Sequence, residues 1–209
     1  LLLFYRSADS AARRVVNRFF PAFSDSSADE LTMILELEAE PEFFFFPAPE
    51  LDFPMASSFL PDRNRADRYT ADKTRDGTLE SSWVEGVPGP GLGERIAFAL
   101  PRSASLIEIY PGYGESQYFL PNNRLKKAAL SVKLLTAAPT ERATVYDVQE
   151  LLYMNLDFED REQFQRFTLD LPEIEVPPEF SRLFAVLEIQ EVYAGNRWDD
   201  TCIAEIRSR

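Results

Sequence analysis

The sequence has 209 residues, 45% of them hydrophobic and 27% charged, which suits one domain with an appendage, or two small domains, around a packed core. Its 35 acids against 22 bases give a formal charge of −13, which argues against a nucleic-acid backbone or an anionic membrane surface as the main partner. Histidine is absent, which removes imidazole general bases, imidazole-dependent triads and histidine-ligated metal sites; the single Cys202 excludes intrachain disulfides and thiolate clusters.

The chain opens on Leu1 and not on methionine, which points to residues upstream and leaves open that Leu1 to Tyr5 ends a removed signal peptide. No window approaches the ~18 consecutive apolar residues that span a bilayer. Residues 7–20 predict a short amphipathic helix: Ala11, Ala12, Val15, Val16, Phe19 and Phe20 recur at helical spacing opposite Arg13, Arg14, Asn17 and Arg18, and Pro21 stops it. From Ser24 to Pro54 there are nine acids and no lysine or arginine, and Phe43 to Phe46 form an apolar run. Residues 1–54 therefore read as an N-terminal helix and an acidic, Phe-rich extension. An aromatic run of this kind is expected to strap onto the main domain or to meet a protein partner, since left exposed it invites aggregation.

Residues 55–209 carry short runs of β type between turn residues, with strands expected at 94–100, 106–110, 128–136, 144–156, 164–171, 183–193 and 201–207. No fixed-period repeat is present, which argues against a solenoid or propeller. The pattern predicts an all-β sandwich or barrel.

Within that region Asp76-Gly77-Thr78-Leu79-Glu80-Ser81-Ser82-Trp83 joins a carboxylate, hydroxyls and a tight turn, the oxygen chemistry that Ca²⁺ favours, although the spacing is not that of an EF-hand. Taken alone, the string is more simply read as an ordinary Asx turn before a core tryptophan. Gly89-Pro90-Gly91-Leu92-Gly93 resembles a phosphate loop only superficially, because the residues after it read as a strand, and it is expected to be a turn. Two long connections hold the residue types that lie against and bond a sugar ring: Tyr113 to Phe119 with Asn122-Asn123-Arg124, and Asn196-Arg197-Trp198-Asp199-Asp200. Acid pairs such as Asp157/Glu159/Asp160 could serve a glycosidase, but close neighbours in sequence do not define a cleft-spanning pair, and a solvated face is the simpler reading.

Several strings in register carry a more specific signal: Asp76-Gly77 with Trp83-Val84-Glu85-Gly86, Gly91-Leu92-Gly93-Glu94, Ile107-Glu108-Ile109-Tyr110-Pro111-Gly112-Tyr113, Asn122 to Lys126, Leu156-Asp157 with Gln163, and Val192-Tyr193-Ala194-Gly195 with Asp199 to Ile206. Together they resemble the glycan-binding, translocation-type domain attached to streptococcal NAD glycohydrolase and found in other bacterial secreted or surface proteins. That module is related to the discoidin, or coagulation-factor type C, galactose-binding-like domains. The resemblance covers about residues 56–207. It implies a jelly-roll β-sandwich that recognises carbohydrate without catalysis, in a secreted, periplasmic or cell-surface setting. It also implies a structural calcium held by Asp76, Ser81 and Glu205. The ligand-facing positions expected from the two turn-rich connections are Tyr113, Tyr118, Asn123, Arg124, Trp198 and Asp199. Pro111 stands where the family pattern usually has asparagine, and Trp198 where a tyrosine is common. The alternative is a protein-interaction or scaffolding module of the bacterial envelope that has lost sugar binding.

Overall fold

The computed structural model describes residues 53–139, 144–175 and 181–209, together with the backbone of Leu2–Tyr5 and Leu31–Ile34. These last two segments are strands β1 and β2, paired antiparallel with Leu2 opposite Ile34 and Tyr5 opposite Leu31. The helix expected over 7–20 and the apolar run Phe43 to Phe46 lie outside the described residues.

From Met55 onward the chain forms β3 (Met55–Ala56), a 3-10 turn (Ala71–Thr74), β4 (Trp83–Val84), β5 (Arg95–Ala99), β6 (Leu106–Tyr110), a single-turn helix α1 (Ser116–Phe119), β7 (Arg124–Pro139), β8 (Thr144–Asp157), β9 (Gln165–Thr168), β10 (Ser181–Tyr193), β11 (Cys202–Ile203) and β12 (Glu205–Ser208). Each of the seven expected strands is present. The last is broken at Ala204 into β11 and β12, and the two-residue strands β3 and β4, too short for any periodicity, carried no signal in the sequence.

The strands described pair antiparallel, and one isolated parallel bridge joins Asn123 to Thr201. One sheet has the order β3-β5-β10-β7-β8, a second the order β12-β6-β9, and β11 pairs with β4. The inward face follows the period of two along each strand. On β10, Leu183, Ala185, Leu187 and Ile189 join Ile96 and Phe98 of β5 and Leu130, Val132 and Leu134 of β7 in a core that also takes Ile107 and Ile109 of β6 and Ile206 of β12. Residues from both sheets in one core make this a β-sandwich. Trp83 is wholly buried in that core, and its indole N–H donates to the Ser58 carbonyl at 2.8 Å, so the one polar atom of its side chain is paired. On the opposite face of β10, Phe53 stacks on the buried Phe184 with ring centroids 5.5 Å apart. Residues 89–93 form the expected turn, closed by Glu94 N–H donating to Gly91 O at 3.0 Å. Among the described residues no helix is long and apolar enough to cross a membrane.

Candidate functional site

The C-terminal ends of β6 and β10 and the start of β7 lie together, since Tyr193 pairs with Arg124 and Leu125 N–H reaches Pro111 O at 2.8 Å. Their connections build the site. The segment after β10 is fastened to the one after α1 by Asn196 N–H to Leu120 O (3.2 Å) and by Arg197 and Trp198 N–H to Pro121 O (3.2 and 2.9 Å). Gly195 makes that approach feasible, because a Cβ there would stand 2.4 Å from Pro121 O. Gly114 does the same beside Tyr113, where a Cβ would stand 2.1 Å from Leu79 O.

Between these segments lies a cavity of about 440 Å³, walled by Tyr69, Tyr113, Tyr118 and Trp198, floored by Leu60 and Val84, and edged by Arg68, Asn122, Arg197 and Asp200. Tyr113 and Tyr118 meet edge to face at 5.2 Å, and Tyr118 tilts against Trp198 at 6.2 Å. These three rings form a continuous aromatic wall. Burial, with the nearby Tyr69 hydroxyl, pushes the Tyr113 hydroxyl up to about 12, and burial raises Tyr69 as well, so both remain neutral donors at physiological pH. Burial and then the neighbouring Asp199 charge raise Asp200 above the ordinary carboxylate value. Asn122 spends its amide N–H on Tyr118 O at 2.8 Å. Arg68 binds Asp62 through Nη1 at 3.0 Å, and Arg197 lies over the Trp198 ring at 4.4 Å.

The structure separates the six expected ligand-facing residues into three groups. Tyr113, Tyr118 and Trp198 line the cavity. Asn123 and Arg124 form a clamp beside it, with their polar atoms taken up inside the protein. Asn123 donates to Asp199 O at 2.5 Å and accepts from Gly195 N–H at 2.6 Å. Arg124, 4% exposed, holds Asp160 through both Nε (3.0 Å) and Nη2 (2.6 Å), and its Nη1 bonds Asn122 O and Ala194 O at 2.9 Å each. Asp199 is exposed and outside the cavity lining. The residues that sequence reasoning passed over are Arg68, Tyr69, Asn122, Arg197 and Asp200. Asn122, Arg197 and Asp200 lie inside strings already recognised as sugar-like, whereas Arg68 and Tyr69 come from a charged loop far away in sequence.

Behind the cavity a second carboxylate holds the connections together. Glu85 is completely buried and accepts Val87 N–H at 2.8 Å and Thr201 N–H at 3.2 Å. Burial pushes it up to about 7, against the lowering effect of those two bonds.

The expected calcium ligands lie near one another at a different place. Asp76 Oδ2 accepts the Ser81 hydroxyl at 2.5 Å, and Asp76 Oδ1 accepts Thr78 N–H at 3.1 Å. The Glu205 carboxylate, 3% exposed, receives the Gly77 N–H, feels the Asp76 charge, and has Oε2 buried without a hydrogen-bond partner. Burial, the largest influence, raises Glu205. An orphaned buried oxygen beside a second carboxylate and a hydroxyl fits a hard, oxygen-preferring cation. The site is a carboxylate pair, since no cluster of three or more acidic, cysteine or histidine side chains occurs among the described residues. Backbone carbonyls would have to complete it. Arg207 Nε stands 3.6 Å from Glu205 Oε1 and supplies part of the compensating charge.

Residues 51–209 match the family described as NAD glycohydrolase translocation F5/8 type C domain. The chain belongs to this family. Among curated proteins none matches the sequence. Solved structures resemble it weakly. A mycobacterial arabinofuranosyltransferase AftD is 13% identical with a TM-score of 0.42 over 88% of this chain. An F5/8 type C domain from Bacteroides fragilis is 13% identical at 0.37, covering 74% of this chain and 89% of that one. The CpGH89CBM32-4 module of Clostridium perfringens, in complex with GlcNAc-alpha-1,4-galactose, is 14% identical at 0.31, covering 74% and 88%. The chain spans only 14% of the AftD chain it resembles. At these scores the likenesses add nothing to the family assignment, which is that of a binding or translocation module.

Proposed function

We propose that this F5/8 type C module recognises carbohydrate through the cavity walled by Tyr113, Tyr118 and Trp198, and performs no catalysis. The observation that carries this reading is the aromatic wall itself. A pyranose lays its C–H face on such rings, while the Asn122 amide, the two guanidiniums and the Asp200 carboxylate stand at the edge as donors and acceptors for its hydroxyls. The volume of about 440 Å³ suits a ligand of one or two sugar rings. A glycosidase would need two carboxylates across the scissile bond, and Asp200 is the only one among the described lining residues. The module would then tether a larger protein to a glycan-bearing surface, from a secreted or envelope location. Calcium, held by Asp76, Ser81 and Glu205, would brace the turn before Trp83 against β12 and would take no part in sugar contact.

A glycan-array screen followed by calorimetric titration of the hits tests this reading. The expected result is binding in the millimolar-to-micromolar range, about −4 to −8 kcal/mol, with no turnover of the ligand. A blank array from a folded sample would overturn it in favour of a protein partner.

A further inference from the structure

Three charged side chains edge the aromatic cavity, and two of them are arginines, in a protein whose formal charge is −13. Arg197 is exposed, has its guanidinium carbon over the Trp198 ring 4.4 Å from the centroid, and has no carboxylate within ion-pair reach among the described residues. A guanidinium stacked on indole keeps its in-plane N–H donors available at its edge. Arg68 has Nη1 on Asp62, packs over Tyr69 with its guanidinium carbon 5.0 Å from the ring centroid, and lies close enough to Tyr113 to act on its hydroxyl.

We propose that the ligand taken by this cavity is an anionic sugar, one that carries a carboxylate, sulfate or phosphate group. The inference deepens the carbohydrate reading and rests on it. Seating a neutral sugar in the cavity beside Arg197 would strip water from the guanidinium without supplying a counter-charge, which is unfavourable for a cation. An acidic substituent supplies that charge and accepts the paired donors of a guanidinium in a geometry that a hydroxyl cannot match. Asp200 is the one acid among the described lining residues, against the two guanidiniums. A neighbouring cavity of about 370 Å³ shares Arg68 and Tyr113, but there Arg65, Arg68 and Lys73 face Asp76, Glu80 and Glu115 in equal number. Of the two cavities, only the aromatic one has more cations than acids on its lining.

The test is calorimetric titration of the full chain with matched sugars: galactose against galacturonic acid and galactose-6-sulfate, and glucose against glucuronic acid, in ~50 mM and ~1 M salt. The expected result is at least about tenfold tighter binding of an acidic member than of its neutral counterpart, shrinking in high salt. The ratio should collapse toward one in R197Q and in R68Q and be partly kept in R197K, with melting curves showing that each variant is folded. Comparison of the carboxylate and sulfate arms identifies the acid. Equal affinity for neutral and acidic members, or a preference that survives both glutamine variants, would overturn the inference and leave the carbohydrate reading standing. A folded chain that binds none of these sugars, and nothing on the array, would overturn the carbohydrate reading with it.

Discussion

Arg124 and Arg197 sit in adjoining connections of one site, yet they are in opposite physical states. Arg124 is buried, doubly bonded to Asp160 and bonded through Nη1 to the carbonyls of Asn122 and Ala194, so most of its donors are spent inside the protein. Arg197 is exposed, stacked on Trp198, and unpaired with any described carboxylate. The same contrast separates Asn123, satisfied at both ends of its amide, from the aromatic faces of Tyr118 and Trp198. Residue type at a loop therefore does not decide whether a side chain binds or builds. The decision lies in whether its hydrogen-bonding capacity is used up inside the fold.

The largest effect should come from the clamp. R124A removes a buried guanidinium and leaves Asp160 and the carbonyls of Asn122 and Ala194 without their donor. Urea denaturation should show a loss of about 3–4 kcal/mol. Retained sugar affinity in whatever fraction stays folded would sharpen the contrast; lost affinity with full stability would place Arg124 in the site and break it.

Glu85 should come next, through pH. Its folded value of about 7 lies above the ordinary 4.5, so the folded state holds a proton that the unfolded state releases. The stability this group contributes is complete below about pH 4.5 and is lost as pH rises through about 7, an effect on the order of 3 kcal/mol. Burial raises Asp200 and Glu205 in the same direction. E85Q should flatten the stability profile between those two pH values. An unchanged slope would mean that the carboxylate fastening Thr201 behind the cavity is not the titrating group.

If Asp76, Ser81 and Glu205 hold calcium, calcium at a hundredfold excess over its dissociation constant should stabilise the fold by about 2.7 kcal/mol, a gain removed by chelator and absent in E205Q. Melts that superimpose with calcium and with chelator would remove the metal from the account.

The smallest expected effect on the fold, and the most selective for function, is W198A. Because Trp198 is only partly buried, its loss should leave the melt nearly unchanged while weakening sugar binding about tenfold or more, roughly 1.4 kcal/mol.

The family, the sandwich and most of its strands were legible because apolar alternation and short strings in register survive in the linear sequence. Ile107/Ile109 and Leu130/Val132/Leu134 do face the core. The cavity was legible in part. Tyr113, Tyr118 and Trp198 are large aromatic residues on turn-rich connections, where a ring either anchors the loop or lines a cavity; Tyr113 does both, packing with Val84 and Cys202 in a buried cluster. Which member of a string faces the ligand was not legible, because extended backbone turns successive side chains to opposite sides. Asn122 lines the cavity while Asn123, bridged to Thr201, turns away; Asp200 lines it while Asp199 does not. Arg68 and Tyr69 lay beyond reach for a different reason. They arrive from a loop some forty residues earlier in the chain, placed by Val84 N–H bonding Tyr69 O at 3.3 Å, a contact that no local pattern encodes.

The most direct test of the central claim is a titration of the wild-type chain and W198A with a glycan identified on the array. The account predicts saturable binding by the wild type and a loss of about tenfold or more in W198A at an unchanged melting temperature. Equal affinity in the two proteins would contradict it, because the sugar would then be held somewhere other than against the Tyr113, Tyr118 and Trp198 wall.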